Sequence, residues 1–115
     1  MKPIDILKEA QAIQDIWTPK DLVRFSGIAL RIARLRGSYH WHVHKKEDEL
    51  FYVLSGTVEI DTDRGTIRLT PGQAYLVKAG TRHRSRADYG DAIVLLIEPE
   101  STITTGEPWV PGEGK

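Results

Sequence analysis

From residue 21 onward the chain breaks into short apolar runs parted by turn residues, and that texture restricts it to a β architecture. Nine runs rich in Val, Ile, Leu, Tyr and Phe are legible, at 22–25, 28–36, 39–44, 49–55, 57–61, 66–69, 74–77, 82–87 and 92–97. Between them stand Ser26-Gly27, Gly37-Ser38, Lys45 to Asp48, Ser55-Gly56, Asp63 to Gly65, Pro71-Gly72, Ala79-Gly80 and Asp88 to Asp91. Short strands at regular spacing, closed by tight turns, predict an antiparallel sandwich or barrel over 21–99.

The ends read differently. Ile6, Leu7, Ala10, Ile13 and Trp17 recur every three or four residues, which predicts a helix within 1–20, stopped by Thr18-Pro19. Residues 100–115 are rich in Pro, Gly and Thr and read as an extended tail, with Trp109 an anchor onto the barrel. At 115 residues the chain has material for one small domain.

Charge and composition exclude several functions. Lys+Arg and Asp+Glu both number 16, so no basic excess recruits nucleic acid or an anionic membrane. Near-zero net charge gives little colloidal repulsion and mildly favours self-association, and the apolar surface of Ile6, Ile13, Trp17 and Trp109 on the terminal segments is what makes a homodimer expected. There is no cysteine, which excludes disulfides, thiolate catalysis and zinc–thiolate sites. The longest apolar run, "AIVLLI", is too short to span a bilayer. The N-terminus carries charges where a signal peptide needs an apolar middle, and a soluble cytoplasmic protein is expected.

Chemistry concentrates in "SYHWHVHKKEDELFYVLSG", residues 38–56, which holds three of the four histidines. Alternate side chains of a strand share a face, so His40, His42 and His44 point one way. If the loop Lys45 to Asp48 closes a hairpin, Glu49 lies opposite His44, His42 opposite Phe51, and His40 opposite Val53. Two imidazoles and a carboxylate, without sulfur, make a ligand kit for a divalent first-row metal: Mn, Fe, Ni or Zn. His83 lies on a later strand whose other face carries Arg82, Arg84 and Arg86, and it can complete the set. His40 and His44 are separated by roughly 13–14 Å of extended backbone, too far for one ion to take both comfortably. His40 is therefore assigned to substrate binding or proton transfer. The three arginines read as a solvated or interface face, and the tryptophans as packing.

These residues resemble the cupin motifs. The first is matched by Gly37, His42, His44, Glu49 and Gly56, with four residues between Gly37 and His42 where five are usual. The second is matched by Gly72, Gly80 and His83, with Lys78 in place of its Pro and Ala87 in place of its Asn. The resemblance spans roughly 22–98. It implies an all-β double-stranded β-helix, or jelly-roll barrel, with metal ligands His42, His44, Glu49 and His83. Small single-domain cupins of the mannose-6-phosphate-isomerase-like kind look similar. The expected function is a metal-dependent enzyme on a small polar molecule inside the barrel, an isomerase, dioxygenase or relative. The alternative is a non-catalytic small-ligand binder or structural cupin.

Overall fold

The computed structural model describes residues 1–108. Its sheet is antiparallel and is organised around one long strand. The strands are β1 Lys20–Phe25, β2 Ile28–Ser38, β3 His42–Val43, β4 Glu49–Ser55 and β5 Val58–Thr62, then β6 Gly65–Leu69, β7 Ala74–Val77, β8 His83–Pro99 and β9 Glu107–Pro108. One edge of β8 pairs with β2 over most of its length and with β3 at its start. Its other edge pairs with β5 through residues 83–86 and with β4 through residues 93–97. β8 thus stitches together the β5·β6 and β4·β7 ladders.

That arrangement corrects one expected turn. Asp88 to Asp91 do not separate two strands; they form an excursion within β8. Gly37 pairs with Ala87 and Leu35 with Ala92, so both halves of β8 remain on β2 while four residues bulge opposite Arg36. The excursion is pinned by Asp91, which accepts from Arg34 Nε at 2.7 Å and Arg36 Nε at 2.7 Å. Gly56 packs against this point: a Cβ there would lie 2.7 Å from the Asp91 carbonyl oxygen. That contact explains why the glycine is needed.

The period-two pattern sorts the core. Ala33, Leu35, Phe51, Val53, Val94 and Leu96 belong to the barrel interior. Their strand neighbours Ile32, Ile93 and Leu95 form an outer cluster, covered by Ile6, Ala10 and Ile13 from the N-terminal segment and by Leu22 of β1. The helix α1 is shorter than expected, Ile6–Ala12, and Asp5 caps it by accepting from Lys8 N at 3.1 Å. It ends because the following chain joins β2: Ile16 bridges Arg34 in parallel, and Trp17 N donates to the Arg34 carbonyl at 2.8 Å. Trp17 consequently leaves the helical face and stacks on Tyr39 with ring centroids 4.7 Å apart. Beyond β8 the chain returns across the barrel end, and β9 pairs with β3. The expected anchor Trp109 lies outside the described residues. No helix among the described residues is long and apolar enough to cross a membrane.

Candidate metal centre

His42, His44, Glu49 and His83 are all buried, and each offers a ligand atom within 4.8 Å of the others. The route to that convergence differs from the expected hairpin. β3 does not pair with β4, because both edges of β3 are occupied: His42 pairs with His83 on one side and with Pro108 on the other. The edges of β4 are likewise taken, by β7 and β8. Glu49 therefore reaches the cluster from across the barrel, and Phe51 and Val53 do not face His42 and His40 as partners. The loop between β3 and β4 is held by Gly80 N donating to the His44 carbonyl at 2.9 Å and Ala79 N donating to Asp48 Oδ1 at 2.8 Å.

The imidazoles are oriented from behind. His42 Nδ1 lies 2.9 Å from the His40 carbonyl, and His83 Nδ1 lies 2.9 Å from the Thr81 carbonyl. An Nδ1–H donating to a carbonyl fixes the tautomer and leaves Nε2 as a lone-pair donor, an arrangement typical of metal-binding histidine. His83 Nε2 stands 3.4 Å and His44 Nε2 3.8 Å from Glu49 Oε1. Those three atoms are buried and have no hydrogen-bond partner. Burial without a partner costs a polar group on the order of 1–3 kcal/mol, so three such atoms aimed at one point need a shared occupant. A divalent cation fits this donor set.

Electrostatics agree. Burial, then the neighbouring imidazole of His83, holds His42 down at about 3 and His44 at about 4. Burial also lowers His83. All three are neutral at physiological pH, the form that ligates. Burial raises Glu49. A bound cation would reverse that cost by favouring the carboxylate.

Behind Glu49 sits a buried pair that the motifs did not disclose. The β4·β8 ladder pairs Leu50 with Ile97, so the next positions along it, Glu49 and Glu98, face one another. Glu98 is 2 % exposed, and its Oε1 accepts from Arg31 Nη1 at 2.8 Å. Burial, then its hydrogen bond to Glu49, raises Glu98 to about 8 against the pull of Arg31. Glu49 and Glu98 therefore form a buried carboxyl pair in which burial raises both groups. Arg31 also donates to the carbonyls of Thr102 at 2.9 Å and Glu100 at 3.0 Å, tying the pair to the returning tail. The sequence held a signal for this: Arg31 interrupts the inward, apolar face of Ala29, Ala33 and Leu35, and Glu98 closes the apolar run 92–97.

His40 is placed elsewhere. Regular pairing stops at Ser38 and resumes at His42, so alternation fails across 39–41. His40 is exposed, and its Nε2 lies 3.0 Å from the Thr105 carbonyl of the tail. The tail then crosses the cluster at Gly106, where a Cβ would meet His42 Cδ2 at 2.7 Å.

A cavity of about 30 Å³ opens beside the cluster. Its buried floor is Ala33, Leu35, Phe51 and Leu96, with His42 and Glu49 on one wall. Half-buried Trp17, Pro19, Tyr39 and Thr104 ring its mouth.

With fold and site in view, comparison with known proteins is informative. The family model for the Cupin domain matches residues 34–98. The chain is a cupin. It is 38% identical over 76 residues to the uncharacterized protein YdbB of Bacillus subtilis (strain 168), a match covering 65% of this chain and 66% of that relative, just under two thirds of its length. A cupin-2 domain containing protein from Shewanella frigidimarina NCIMB 400 superposes with a TM-score of 0.80 at 25% identity, covering 84% of this chain and 93% of the other. Protein NMB1881 from Neisseria meningitidis gives 0.77 at 24%, covering 85% and 99%. The cupin jelly-roll fold expected from the motifs is thereby established.

Proposed function

We propose that His42, His44, Glu49 and His83 ligate one divalent first-row ion, Mn, Fe, Ni or Zn, and that the chain is a metal-dependent enzyme acting on a small molecule in the adjoining cavity. The observation that carries this is the convergence of three buried, partnerless ligand atoms, His44 Nε2, His83 Nε2 and Glu49 Oε1. Such an ion supplies Lewis-acid polarisation of a substrate oxygen or activation of water or dioxygen. The protein's own contributions are separate. Three neutral imidazoles and Glu49 set the charge of the centre, Glu98 sits behind Glu49 and accepts from Arg31, and the apolar floor excludes water. Burial, then the charge of Glu49, raises the Tyr39 hydroxyl, so it stays protonated at the mouth and can donate to a bound oxygen.

Metal analysis of the tag-free protein as purified tests the proposal. About one equivalent of a single transition metal supports it, and loss of that metal in each of the four alanine variants assigns the ligands. Absence of metal, with no uptake of any of the four ions on titration, removes it.

One observation favours a non-catalytic binder. Apart from His42 and Glu49, Tyr39 is the one titratable side chain on the described cavity wall, so no free general base stands there. Turnover assays on keto acids, catechols and phosphosugars with each ion separate the readings. Ligand-induced melting shifts without turnover select the binder.

A further inference from the structure

The returning tail lies on the cluster and divides two spaces. On its inner side, Thr104 lines the cavity of about 30 Å³ that reaches His42 and Glu49. On its outer side, Ser101, Ile103, Gly106 and Glu107 line a groove of about 300 Å³ that reaches His44 and opens beside exposed Lys46. Residues 101–107 are the partition between groove and cluster.

This partition is fastened firmly at one end and lightly at the other. Arg31, paired with buried Glu98 at 2.8 Å, donates to the carbonyls of Glu100 at 3.0 Å and Thr102 at 2.9 Å. Thr102 is itself buried. At the far end the ladder to β3 is two residues long, Glu107 with Val43 and Pro108 with His42. It is supported by an exposed ion pair, Lys45 Nζ to Glu107 Oε2 at 2.8 Å, and by the Thr105 carbonyl 3.0 Å from exposed His40. Exposed pairs hold weakly, and short exposed ladders open well before the whole fold does. Between the ends, backbone does the sealing. Gly106 has φ +57°, and a Cβ there would lie 2.7 Å from His42 Cδ2 and 3.2 Å from His44 Cε1. Only glycine lets the chain rest on both rings in that conformation. None of the four cluster residues is on the partition, so it covers the site without contributing a ligand atom.

Size shows that the cover has to move. At roughly 10–15 Å³ for each water, the inner cavity of about 30 Å³ has room for two or three. A hydrated divalent ion arrives with about six. We infer that residues 101–107 form a hinged strap, pinned at Arg31 and released at β9, whose opening joins the outer groove to the cluster and sets the rate at which the site exchanges with solvent. The strap stands apart from the metal reading above; that reading supplies only the identity of what passes. Because the strap gives the ion no atom, it changes entry and exit together and leaves affinity as it was.

The test is a lock. Paired strand residues have Cα atoms about 4.5–5.5 Å apart, within the disulfide range of about 4.4–6.8 Å. Val43→Cys with Glu107→Cys, in a chain without other cysteines, closes the strap on oxidation and frees it on reduction. In metal-free full-length protein, diethyl pyrocarbonate labelling mapped by peptide mass reads access to each imidazole. His42 and His44 should label at least about tenfold more slowly in the oxidised variant than in the wild type and recover on reduction, while exposed His40 changes by no more than about twofold. With zinc, association and release should both slow at least about tenfold, with the dissociation constant held within about threefold. Gly106→Ala keeps the strap off the rings and should raise the labelling and both zinc rates; it decides alone if the lock distorts the sheet. Equal labelling of the oxidised variant and the wild type overturns the inference. So does a Gly106→Ala variant that speeds release without speeding association, the sign of a displaced His42 ring. Slowed labelling in a protein that takes up no zinc supports the strap and removes the metal centre.

Discussion

Two polar clusters lie on opposite faces of β8, and they have opposite states of satisfaction. On the outer face, Asp61 accepts from Thr66 Oγ1 at 2.6 Å, Arg84 Nε at 2.8 Å, and Arg86 Nε and Nη2 at 2.7 and 2.9 Å. These partners, Arg86 first, hold the Asp61 carboxyl well below the usual carboxylate range. Arg82 and Arg84 also cover the Trp41 ring, at 4.8 and 5.3 Å. On the inner face, one residue away along the same strand, His83 joins a cluster whose Nε2 and carboxylate oxygen atoms have no hydrogen-bond partner in the protein. Charge and burial do not distinguish the two, since Asp61 is only 8 % exposed. Completeness does. A closed network supports structure, whereas an open one invites a ligand.

The sharpest way to break that contrast is substitution on each face. His42→Ala, His44→Ala, Glu49→Ala and His83→Ala should each lose most bound metal, read by metal analysis after gel filtration. Asp61→Ala should keep full metal content and lose about 1–3 kcal/mol of stability in urea, a range discounted because Arg84 and Arg86 are partly exposed. Metal loss in Asp61→Ala with retention in Glu49→Ala would invert the assignment. Metal itself should stabilise the fold by roughly 2.7 kcal/mol at a hundredfold excess over its dissociation constant. An unchanged melting temperature after chelation speaks against the site.

How much of this was legible depended on range in sequence. Alternation put His42 and His44 on one face, because side-chain parity within a strand is local. It failed for His40, because the strand is interrupted at 39–41. Glu49 was expected in the cluster through a hairpin that does not exist; the spacing of the motif was right and the pairing was not, since strand edges are allotted by the whole sheet. Asp88 to Asp91 has the composition of a turn yet stays in β8, because β2 holds both flanks. Arg31 and Glu98 stood out only as charges on apolar strands. Their role required knowing that β4 lies beside the end of β8.

The open cluster also predicts a pH dependence for metal-free protein. Unfolded imidazoles take a proton below 6.5, whereas folded His44 and His42 wait until about 4 and about 3. The unfolded state then binds more protons, so stability falls as pH drops from 6.5 toward 4, by up to about 1.4 kcal/mol per unit for each group. Glu98 acts oppositely. Raised to about 8 from 4.5, it keeps its proton when folded, so its contribution is full below pH 4.5 and is lost as pH rises to 8. Glu49 is raised by burial and has the same sign. Three imidazoles outweigh two carboxyls below 6.5, and the carboxyls act alone above it. Melting in chelator should therefore be most stable near pH 6.5. A flat profile from pH 4 to 8.5 would contradict the burial argument.

Glu98→Gln sharpens the same point with a smaller effect. The amide keeps an acceptor for Arg31 and the same shape beside Glu49, so metal affinity should fall no more than about tenfold, the lower end for residues that orient ligands. The decline in stability above pH 6.5 should shrink, because Gln cannot ionise. Glu98→Ala leaves Arg31 facing a void and should cost more in both measurements. Equal behaviour of the two variants would remove the role of the Arg31 contact in holding Glu98 behind Glu49.

The smallest effect is expected at His40, and it separates neighbouring residues of one motif. Reach along the strand argued that one ion could not take both His40 and His44, and the structure adds a reason: His40 is at the surface, bonded to the Thr105 carbonyl at 3.0 Å. Its ring lies 5.2 Å from that of His42, yet it is outside the four-residue cluster. His40→Ala should retain metal within about twofold and lose no more than about 1 kcal/mol, the ordinary value of one exposed hydrogen bond. Any change in ligand binding should come through the tail, because Thr105 adjoins Thr104 at the cavity mouth and precedes Gly106 over His42. His40→Gln, which can still reach the Thr105 carbonyl with its amide, should then restore ligand affinity. An emptied metal site in His40→Ala, with His44→Ala still filled, would transfer the ligand role to His40 and undo the separation between closed and open groups on which the site rests.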